Sequence, residues 1–366
     1  MDGYAVRSAD ITPVMTGEKV RLRVVGTIAA GGFAKRPIKR GEAMRIMTGA
    51  PIPEGADSVI RKEDTDGGSE KVEIRDARDV WKNVRPAGED FQRGDLLAKR
   101  GSPLKPALLG VLASTGVRNV KAFKRPRVAI ISSGDELVEI EDFDQVEEGR
   151  RIVSTNSYTL EALTRVAGGV PIDLGIAADT KASLRRKLES AEGCDLILTS
   201  AGVSVGDMDH TRDVFEDLGG ELKFWKVRMR PGAPLAFGLL NGIPWIGVSG
   251  NPVSAMVSFE IFVRPALRKM QGYSALFRRT VSVTLEEEIK IPTKLTFLLR
   301  AVVKRGTDGE LTARLTGQQS SAALTSMAKG NALLIVPDTS PTVPKGAKLN
   351  ALMLDHSLEE TSAFPL

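Results

Sequence analysis

Apolar residues alternate with polar ones in short stretches at both ends of the chain, which predicts β-strands there. The stretches are rich in β-branched residues and are separated by glycine, proline and aspartate. They lie at residues 20–28, 43–47, 58–61, 71–74, 281–285, 295–303, 311–315 and 332–336. We therefore expect a β-rich, barrel-like domain at residues 1–85 and a C-terminal β-barrel domain at residues 272–366.

Residues 126–271 have a different pattern, in which continuous apolar runs alternate with amphipathic segments. The runs are typical of parallel strands buried on both faces, and we place them at residues 128–131, 170–176, 195–200, 223–229 and 245–248. The amphipathic segments predict helices, at residues 155–167, 184–188, 211–218 and 252–270. This order predicts a central doubly wound α/β domain. Residues 86–125, with one short helix at 106–114, are expected to connect it to the first β domain.

Composition narrows the classes of function. The 366 residues carry a net charge of +5 and 5% aromatic residues, which does not favour a nucleic-acid binder. No apolar run approaches the roughly 20 residues that a membrane helix needs, so we expect no membrane partner. A single cysteine, Cys194, and an N-terminus without the features of a secretory signal favour a cytoplasmic location.

Small residues and carboxylates follow three of the predicted central strands, at the edge where an open α/β sheet binds ligands. Backbone N–H groups of the small residues can approach a phosphate, and Mg²⁺ can bridge that phosphate to a carboxylate. The residues concerned are Ser133, Gly134, Glu136, Asp179, Gly202, Ser204, Gly206 and Asp209. The pattern indicates Mg²⁺-assisted phosphate chemistry, although Asp209 also fits the N-cap of the next helix.

Three cations lie two residues apart on the predicted strand 223–229 and its end: Lys226, Arg228 and Arg230. Alternation along a strand would place all three on one face, where they would hold an oxyanion. Pro231 follows directly and begins a rigid turn. A solvent-exposed strand face explains the same pattern.

The segment 202–206 also matches the G-x-S-x-G nucleophile elbow of α/β hydrolases, with Ser204 as the nucleophile. A hydrolase of that kind needs a downstream histidine. The two histidines are His210, which is too close to Ser204, and His356, which lies beyond a β domain. The pattern therefore does not favour a serine hydrolase.

Six motifs in this order give the whole chain a resemblance to the molybdenum insertases, the MoeA and gephyrin E-domain family. They are MDGYAV at 1–6, MTGAPIPEGAD at 47–57, GED at 88–90, SGDEL at 133–137, SVGD at 204–207 with Asp209, and GNPVS at 250–254. The chain begins inside the first motif, so residues 86–125 are expected to be the remnant of the family's elongated N-terminal domain. Ser249 replaces a proline that usually precedes the last motif.

The resemblance implies a fold and an activity. The central domain would be a molybdopterin-binding domain of the MogA type, flanked by β-rich domains in a homodimer. The enzyme would take adenylylated molybdopterin and molybdate with Mg²⁺, insert molybdenum and release AMP. A molybdopterin adenylyltransferase would be the partner that supplies the substrate.

The resemblance also implies residue roles. Asp2, Thr48 and Asp90 would be catalytic residues from the N-terminal β region, together with Glu136 and Asp209. Glu136, Asp179 and Asp209 would hold the metal. The remaining positions would bind the pterin nucleotide or molybdate: Ser133, Gly134, Asp179, Gly202, Ser204, Gly206, Lys226, Arg230, Pro231, Ser254, Arg300 and Ser321.

Two alternatives remain open at this point. Pterin adenylylation is the sister activity, because it uses the same type of α/β domain, and a non-catalytic pterin-binding scaffold would keep the same fold. The flanking β domains argue against the first, and the carboxylates at the strand ends argue against the second.

Overall fold

The structure, a computed structural model, describes residues 2–202, 208–291, 295–339, 341–356 and 358, with the backbone alone at 208–210. The chain forms two compact units, Met1–Leu96 and Leu97–Leu366, and each is described here by itself. None of the helices within the described ranges is long and apolar enough to span a membrane.

The first unit is built on one five-stranded sheet with the order β4-β1-β3-β2-β5. Its strands are β1 (Gly3–Val6), β2 (Val20–Ile28), β3 (Glu42–Ile46), β4 (Ser58–Arg61) and β5 (Lys71–Ile74). The four strands that the sequence predicts are confirmed, with β3 displaced by one residue. Strand β1, an interior strand of this sheet, was not predicted, because its four residues are all buried and show no alternation of polar and apolar residues.

Glu42 connects strand β3 to its surroundings in this unit through two arginines. Its carboxylate accepts hydrogen bonds from Arg36 at 2.8 Å and from Arg23 at 2.5 Å, although the residue is only 5% exposed. These two charge-assisted bonds, with that to Arg36 as the larger cause, lower the pKa of Glu42 to about 2. Burial of this carboxylate is therefore compatible with its charge.

The second unit contains a six-stranded sheet with the order β11-β13-β14-β10-β6-β9, in which β14, β10, β6 and β9 are parallel. Helices cover both faces, so the doubly wound architecture is confirmed. The elements of this region are α1 (Pro106–Ser114), β6 (Arg127–Ser133), β7 (Leu137–Val138), α2 (Asp144–Glu147), β8 (Ile152–Val153), α3 (Thr155–Val166), β9 (Val170–Ala177), α4 (Lys181–Glu189), β10 (Leu196–Ser200), α5 (Met208–Asp217), β11 (Gly220–Trp225), β12 (Met229–Arg230), β13 (Leu235–Leu240) and β14 (Ile243–Val248).

A long helix follows β14, and its middle turn is a π-helix. It comprises α6 (Pro252–Ser258), the π-helical segment Phe259–Val263 and α7 (Arg264–Met270), as expected for residues 252–270. Asn251 occupies the N-cap position but makes no side-chain capping bond. The helix packs on β6, β10 and β14 through a core that includes Phe259 and Val263.

The C-terminal sheet has the order β12-β17-β18-β15-β21-β19, and β17 also pairs with β19. Its elements, with a small pair of strands beside it, are β15 (Thr280–Leu285), β16 (Ile289–Lys290), β17 (Thr296–Arg305), β18 (Leu311–Leu315), α8 (Leu324–Lys329), β19 (Ala332–Val336), β20 (Thr342–Val343) and β21 (Lys348–Met353). Val253 and Val257 of α6 pack against Leu298 of β17 and Met327 of α8. This apolar contact fixes the C-terminal sheet against the start of the long helix.

One strand assignment from the sequence is wrong. Residues 223–229 do not form one strand, because Lys226 has a left-handed backbone with φ of 79° that ends β11. Two residues of the following segment form β12, which pairs with β17 of the C-terminal sheet. Lys226, Arg228 and Arg230 therefore do not share the face of one strand. Strands β13 and β21 were missed.

We expect Glu42 to make the first unit sensitive to acid. Because its folded pKa is depressed, the ionised carboxylate stabilises the fold above its ordinary pKa of 4.5, and this contribution is lost as the pH falls to about 2. Glu42→Gln should remove this part of the pH dependence of the unfolding free energy, measured by chemical denaturation across that range. The exposed Glu63→Gln serves as control, and an equal pH dependence in wild type and Glu42→Gln would contradict the assignment.

Candidate active site

The carboxylate of Asp179 joins two loops at the carboxyl ends of the neighbouring parallel strands β6 and β9. It accepts hydrogen bonds from Ser133 Oγ at 3.4 Å and from the backbone N–H of Asp135 at 3.3 Å. In return, the backbone N–H of Asp179 donates to the Asp135 carboxylate at 3.0 Å. The reciprocal bonds fix both loops, so Ser133 and Asp179 lie together as the sequence predicts.

Gly134 has a left-handed backbone, with φ of 148°, where the Glu136 side chain returns over it. A Cβ atom at Gly134 would lie 2.5 Å from a carboxylate oxygen of Glu136. Any larger residue would displace that carboxylate. Glycine at position 134 therefore leaves room for the Glu136 carboxylate.

Gly202, at the end of β10, lines one recess with Ser133, Asp179 and Thr211. Three strand-end loops thus meet, as predicted, but the cations Lys226 and Arg230 do not line this recess. Ser204 and Gly206 lie outside the described residues. Asp209 lies in the first turn of α5, which begins at Met208, and its side chain is not among the described ones.

The described side chains include no group of three or more potential ligands that would hold a metal ion. This finding does not extend to the predicted set, because the Asp209 side chain is not described. The two described members, Glu136 and Asp179, follow adjacent strands, and Ser133 adds a hydroxyl next to Asp179. Such oxygen donors suit Mg²⁺ by their chemistry.

Lys226, Arg230 and Pro231 lie in the connection between β11 and β13. The Lys226 N–H donates to the Leu235 carbonyl at 2.7 Å, and Arg230 pairs with Phe297 of β17 through β12. Gly232, with φ of 99°, follows the Arg230–Pro231 cis peptide bond. A Cβ atom on Gly232 would lie 2.6 Å from Ser258 Oγ, so glycine is required for this turn to approach the long helix.

Ser254 is buried in the first turn of α6, directly after the turn that joins β14 to the long helix. Ser249, at the start of that turn, accepts a hydrogen bond from the Asn251 N–H at 3.3 Å. Asn156 donates to the Gly250 carbonyl at 2.8 Å. Hydrogen bonds thus hold this turn, in which Ser249 occupies the position before Gly250.

Arg300 is completely buried, at 0% exposure, although it carries a charge. Among the described residues no carboxylate forms an ion pair with it. Burial lowers its pKa to about 10, a depression that still leaves the guanidinium charged at neutral pH. Buried charges in proteins are otherwise paired, so Arg300 indicates a site for an anion.

The guanidinium of Arg300 is hydrogen-bonded on one side only. Nε donates to Ser326 Oγ at 3.0 Å and Nη2 to the Ser320 carbonyl at 2.9 Å, whereas Nη1 is buried without a partner among the described protein atoms. The carbonyl of the next residue, Ser321, accepts a hydrogen bond from the Val253 N–H at 3.1 Å. The segment that holds the Arg300 guanidinium is thereby joined to the residue before Ser254.

Asp2 and Thr48 form a pair in the first unit. One carboxylate oxygen of Asp2 accepts hydrogen bonds from the Thr48 N–H at 2.9 Å and from Thr48 Oγ1 at 3.0 Å. The backbone bond, followed by the hydroxyl bond, lowers the pKa of Asp2. Asp90 lies in the exposed loop 85–91, and no described hydrogen bond links it to this pair.

The sequence interpretation missed the residues that hold Arg300, namely Gln319, Ser320 and Ser326. A signal for Arg300 itself was present, since it is the only charged residue within the apolar run 296–303. No comparable signal marked its supports. These residues reach Arg300 only because residues 316–326 fold back on β17.

Taken together, the doubly wound sheet, the loops at its carboxyl edge and the buried arginine define the class of α/β proteins that have a candidate ligand site at the carboxyl ends of their strands. Family models for the MoeA N-terminal region (domains I and II), a probable molybdopterin-binding domain and the MoeA C-terminal region (domain IV) match residues 1–116, 129–269 and 282–354. The chain belongs to the MoeA family. The resemblance noted from six motifs and the fold class are both confirmed.

Curated relatives and a solved structure agree over nearly the whole chain. The molybdopterin molybdenumtransferase of Haemophilus influenzae is 33% identical over 98% of this chain and 87% of its own length. That of Staphylococcus epidermidis is 30% identical over 98% and 85%. The crystal structure of the molybdopterin biosynthesis MoeA protein from Pyrococcus horikoshii OT3 has a TM-score of 0.77 at 28% identity, covering 96% of this chain and 86% of that one.

We expect Arg300→Met to keep the fold and to weaken anion binding. Replacing a buried charge by an apolar side chain of similar size should leave the unfolding free energy unchanged or raise it by about 1–4 kcal/mol. Wild type should gain about 2.7 kcal/mol in molybdate at 100 times its dissociation constant, whereas a variant that binds about 10–100-fold more weakly should gain only about 0.4–1.4 kcal/mol at the same concentration. Chemical denaturation measures both quantities, with the exposed Arg314→Met as control, and stabilisation by molybdate equal to that of wild type would refute the anion site.

Proposed function

We propose that this protein is a molybdenum insertase, which transfers molybdenum from molybdate to adenylylated molybdopterin and releases AMP. The observation that carries the proposal is the fully buried Arg300 guanidinium, with an unpartnered Nη1 and no carboxylate in an ion pair among the described residues. The names of the curated relatives support the same step in molybdenum cofactor biosynthesis.

Molybdate would bind at Arg300, with Ser321, Ser254, Pro231 and Arg230 around it. A tetrahedral dianion matches the need of Arg300 for a negative partner, and charge-assisted hydrogen bonds would orient its oxygens. The buried position excludes water, so these bonds are stronger than they would be at the surface. The arginine would thus hold molybdate for attack by the two dithiolene sulfurs, whose two thiol protons would leave with one molybdate oxygen as water.

The nucleotide end of the substrate would bind where the loops after β6, β9 and β10 meet. Backbone and hydroxyl groups of Ser133, Gly134, Gly202, Ser204 and Gly206 would contact the pyrophosphate. Glu136, Asp179 and Asp209 would hold Mg²⁺, which when bound supplies positive charge to the phosphate oxygens. Lys226 would contact an anionic group of the same ligand.

The first unit would contribute Asp2, Thr48 and Asp90 as catalytic residues. The two hydrogen bonds from Thr48 lower the pKa of Asp2, which favours its ionised form, and they fix its orientation. A carboxylate that positions water or accepts a proton needs both properties. Cleavage of the phosphoanhydride by water would then release AMP. The proposal also includes the four regions expected from the sequence, at residues 1–85, 86–125, 126–271 and 272–366.

Three further parts of the proposal concern the protein's setting. It would act as a homodimer in the cytoplasm, and an adenylyltransferase would supply its substrate. The only cysteine, Cys194, is buried, and burial raises the pKa of its thiol, so it would take no part in the reaction. Light scattering of the purified protein tests the dimer, which a monomeric mass would contradict.

AMP release by the wild-type protein should depend on molybdate. With Mg²⁺ and adenylylated molybdopterin, chromatography should detect AMP only after molybdate is added. Arg300→Met should raise the half-saturating molybdate concentration by about 10–100-fold, since hydrogen bonds to charged groups contribute about 1.5–3 kcal/mol. AMP release that is independent of molybdate would contradict the insertase, and consumption of ATP with free molybdopterin would favour the adenylyltransferase.

Asp179→Asn should weaken the dependence on Mg²⁺ without unfolding the protein. The amide keeps the shape of the side chain but loses the charge that a divalent cation prefers. We expect a higher half-saturating Mg²⁺ concentration for AMP release, measured by titrating Mg²⁺ at fixed substrate. The exposed Glu189→Gln on α4 is the matched control. An unaltered Mg²⁺ titration in Asp179→Asn would remove Asp179 from the metal site.

A further inference from the structure

We propose that Ser326 is a positioning residue, which aims the Arg300 guanidinium at the bound oxyanion with the help of Gln319. This inference rests on the proposed function, since it concerns how the same anion site is built. Ser326 and Gln319 both lie in the segment 316–326, which folds back on strand β17. We call this segment the arginine support.

The hydroxyl of Ser326 has only one role open to it toward Arg300. Ser326 is 3% exposed, and its Oγ donates its single proton to the Ala323 carbonyl at 2.6 Å. The oxygen is therefore left as an acceptor, and it accepts from Arg300 Nε at 3.0 Å. The direction of the Nε–H bond is fixed in this way, and with it the plane of the guanidinium.

Gln319 fixes the backbone of the same residue. Its Oε1 accepts from the Arg300 N–H at 2.9 Å, and its Nε2 donates to the Arg300 carbonyl at 3.1 Å. The Thr316 N–H donates to that carbonyl as well, at 3.0 Å. Backbone and side chain of Arg300 are thus both held by the arginine support.

This arrangement leaves one nitrogen of the guanidinium without a hydrogen-bond partner among the described atoms. Nε is satisfied by Ser326 and Nη2 by the Ser320 carbonyl, so the buried Nη1 is the nitrogen without a partner among the described atoms. Ser321, next in the support, accepts from the Val253 N–H at the start of α6. The support therefore determines both where Nη1 points and where Ser321 lies.

Loss of the Ser326 hydroxyl should act on the oxyanion and not on the rest of the substrate. In Ser326→Ala the guanidinium can turn toward a new acceptor, so Nη1 no longer faces the ligand. Because a hydrogen bond to a charged group is lost, we expect the half-saturating molybdate concentration for AMP release to rise about tenfold. The half-saturating concentration of adenylylated molybdopterin, and the rate at saturating molybdate, should be unchanged.

The test compares four variants with wild type in AMP release and in calorimetric binding of molybdate alone. Ser326→Thr keeps the hydroxyl and should restore molybdate binding, whereas the exposed neighbour Thr325→Ala should have no effect. Gln319→Ala, at a half-buried position, should raise the molybdate requirement in the same selective way. If Ser326→Ala does not fold, the result for Gln319→Ala decides whether the arginine support positions Arg300.

The outcomes separate this inference from the proposed function. Unchanged molybdate binding in Ser326→Ala, or in Gln319→Ala where the former does not fold, overturns the positioning role. So does a loss that affects both substrates equally and that Ser326→Thr does not reverse, which indicates a structural role alone. If wild type binds molybdate but releases AMP without it, the insertase is wrong, while the calorimetric comparison still tests Ser326.

Discussion

The buried charge of Arg300 is the constraint on which the proposed anion site of the second unit depends. Taking a guanidinium out of water costs several kcal/mol unless a counter-charge or hydrogen bonds replace the solvent. Ser326 and the Ser320 carbonyl replace part of that solvent, and neither supplies a negative charge. Burial without a carboxylate partner among the described residues is therefore best understood as preorganisation. An internal ion pair would neutralise the positive charge of Arg300. Without one, that charge is kept for the proposed ligand.

The apolar contact between the long helix and the C-terminal sheet gives that charge its position. Val253 and Val257 of α6 pack against Leu298, which points to the same side of β17 as Arg300 because it lies two positions before it in the strand. The Val253 N–H also donates to Ser321. The carboxyl end of β14, where the helix begins, and the buried arginine are thus joined by packing and by a hydrogen bond.

The sequence was informative where local pattern and tertiary environment agree. Strands such as β2 and β18 and helix α1 are confirmed to the residue, since periodicity and turn residues define them locally. The supposed strand 223–229 failed because a left-handed Lys226, which pattern does not reveal, diverts the chain toward β17. Ser133 and Asp179 were predicted to meet from the geometry of parallel strands alone. Ser326 and Gln319 were not, since only the folded support brings them to Arg300.

The order of strands separates Asp179 from the turn to Ser254 along the carboxyl edge of the sheet. Asp179 follows β9, and the turn to Ser254 follows β14, three strand spacings away, or about 14 Å at the usual distance between strands. Carboxylates next to the oxyanion site would repel a dianion, and a guanidinium beside the metal site would compete with Mg²⁺ for phosphate oxygens. Adenylylated molybdopterin carries its phosphoanhydride and its dithiolene at different points of one molecule. An extended ligand of this kind would contact both sites at once, and their separation would keep molybdate from binding where the pyrophosphate belongs.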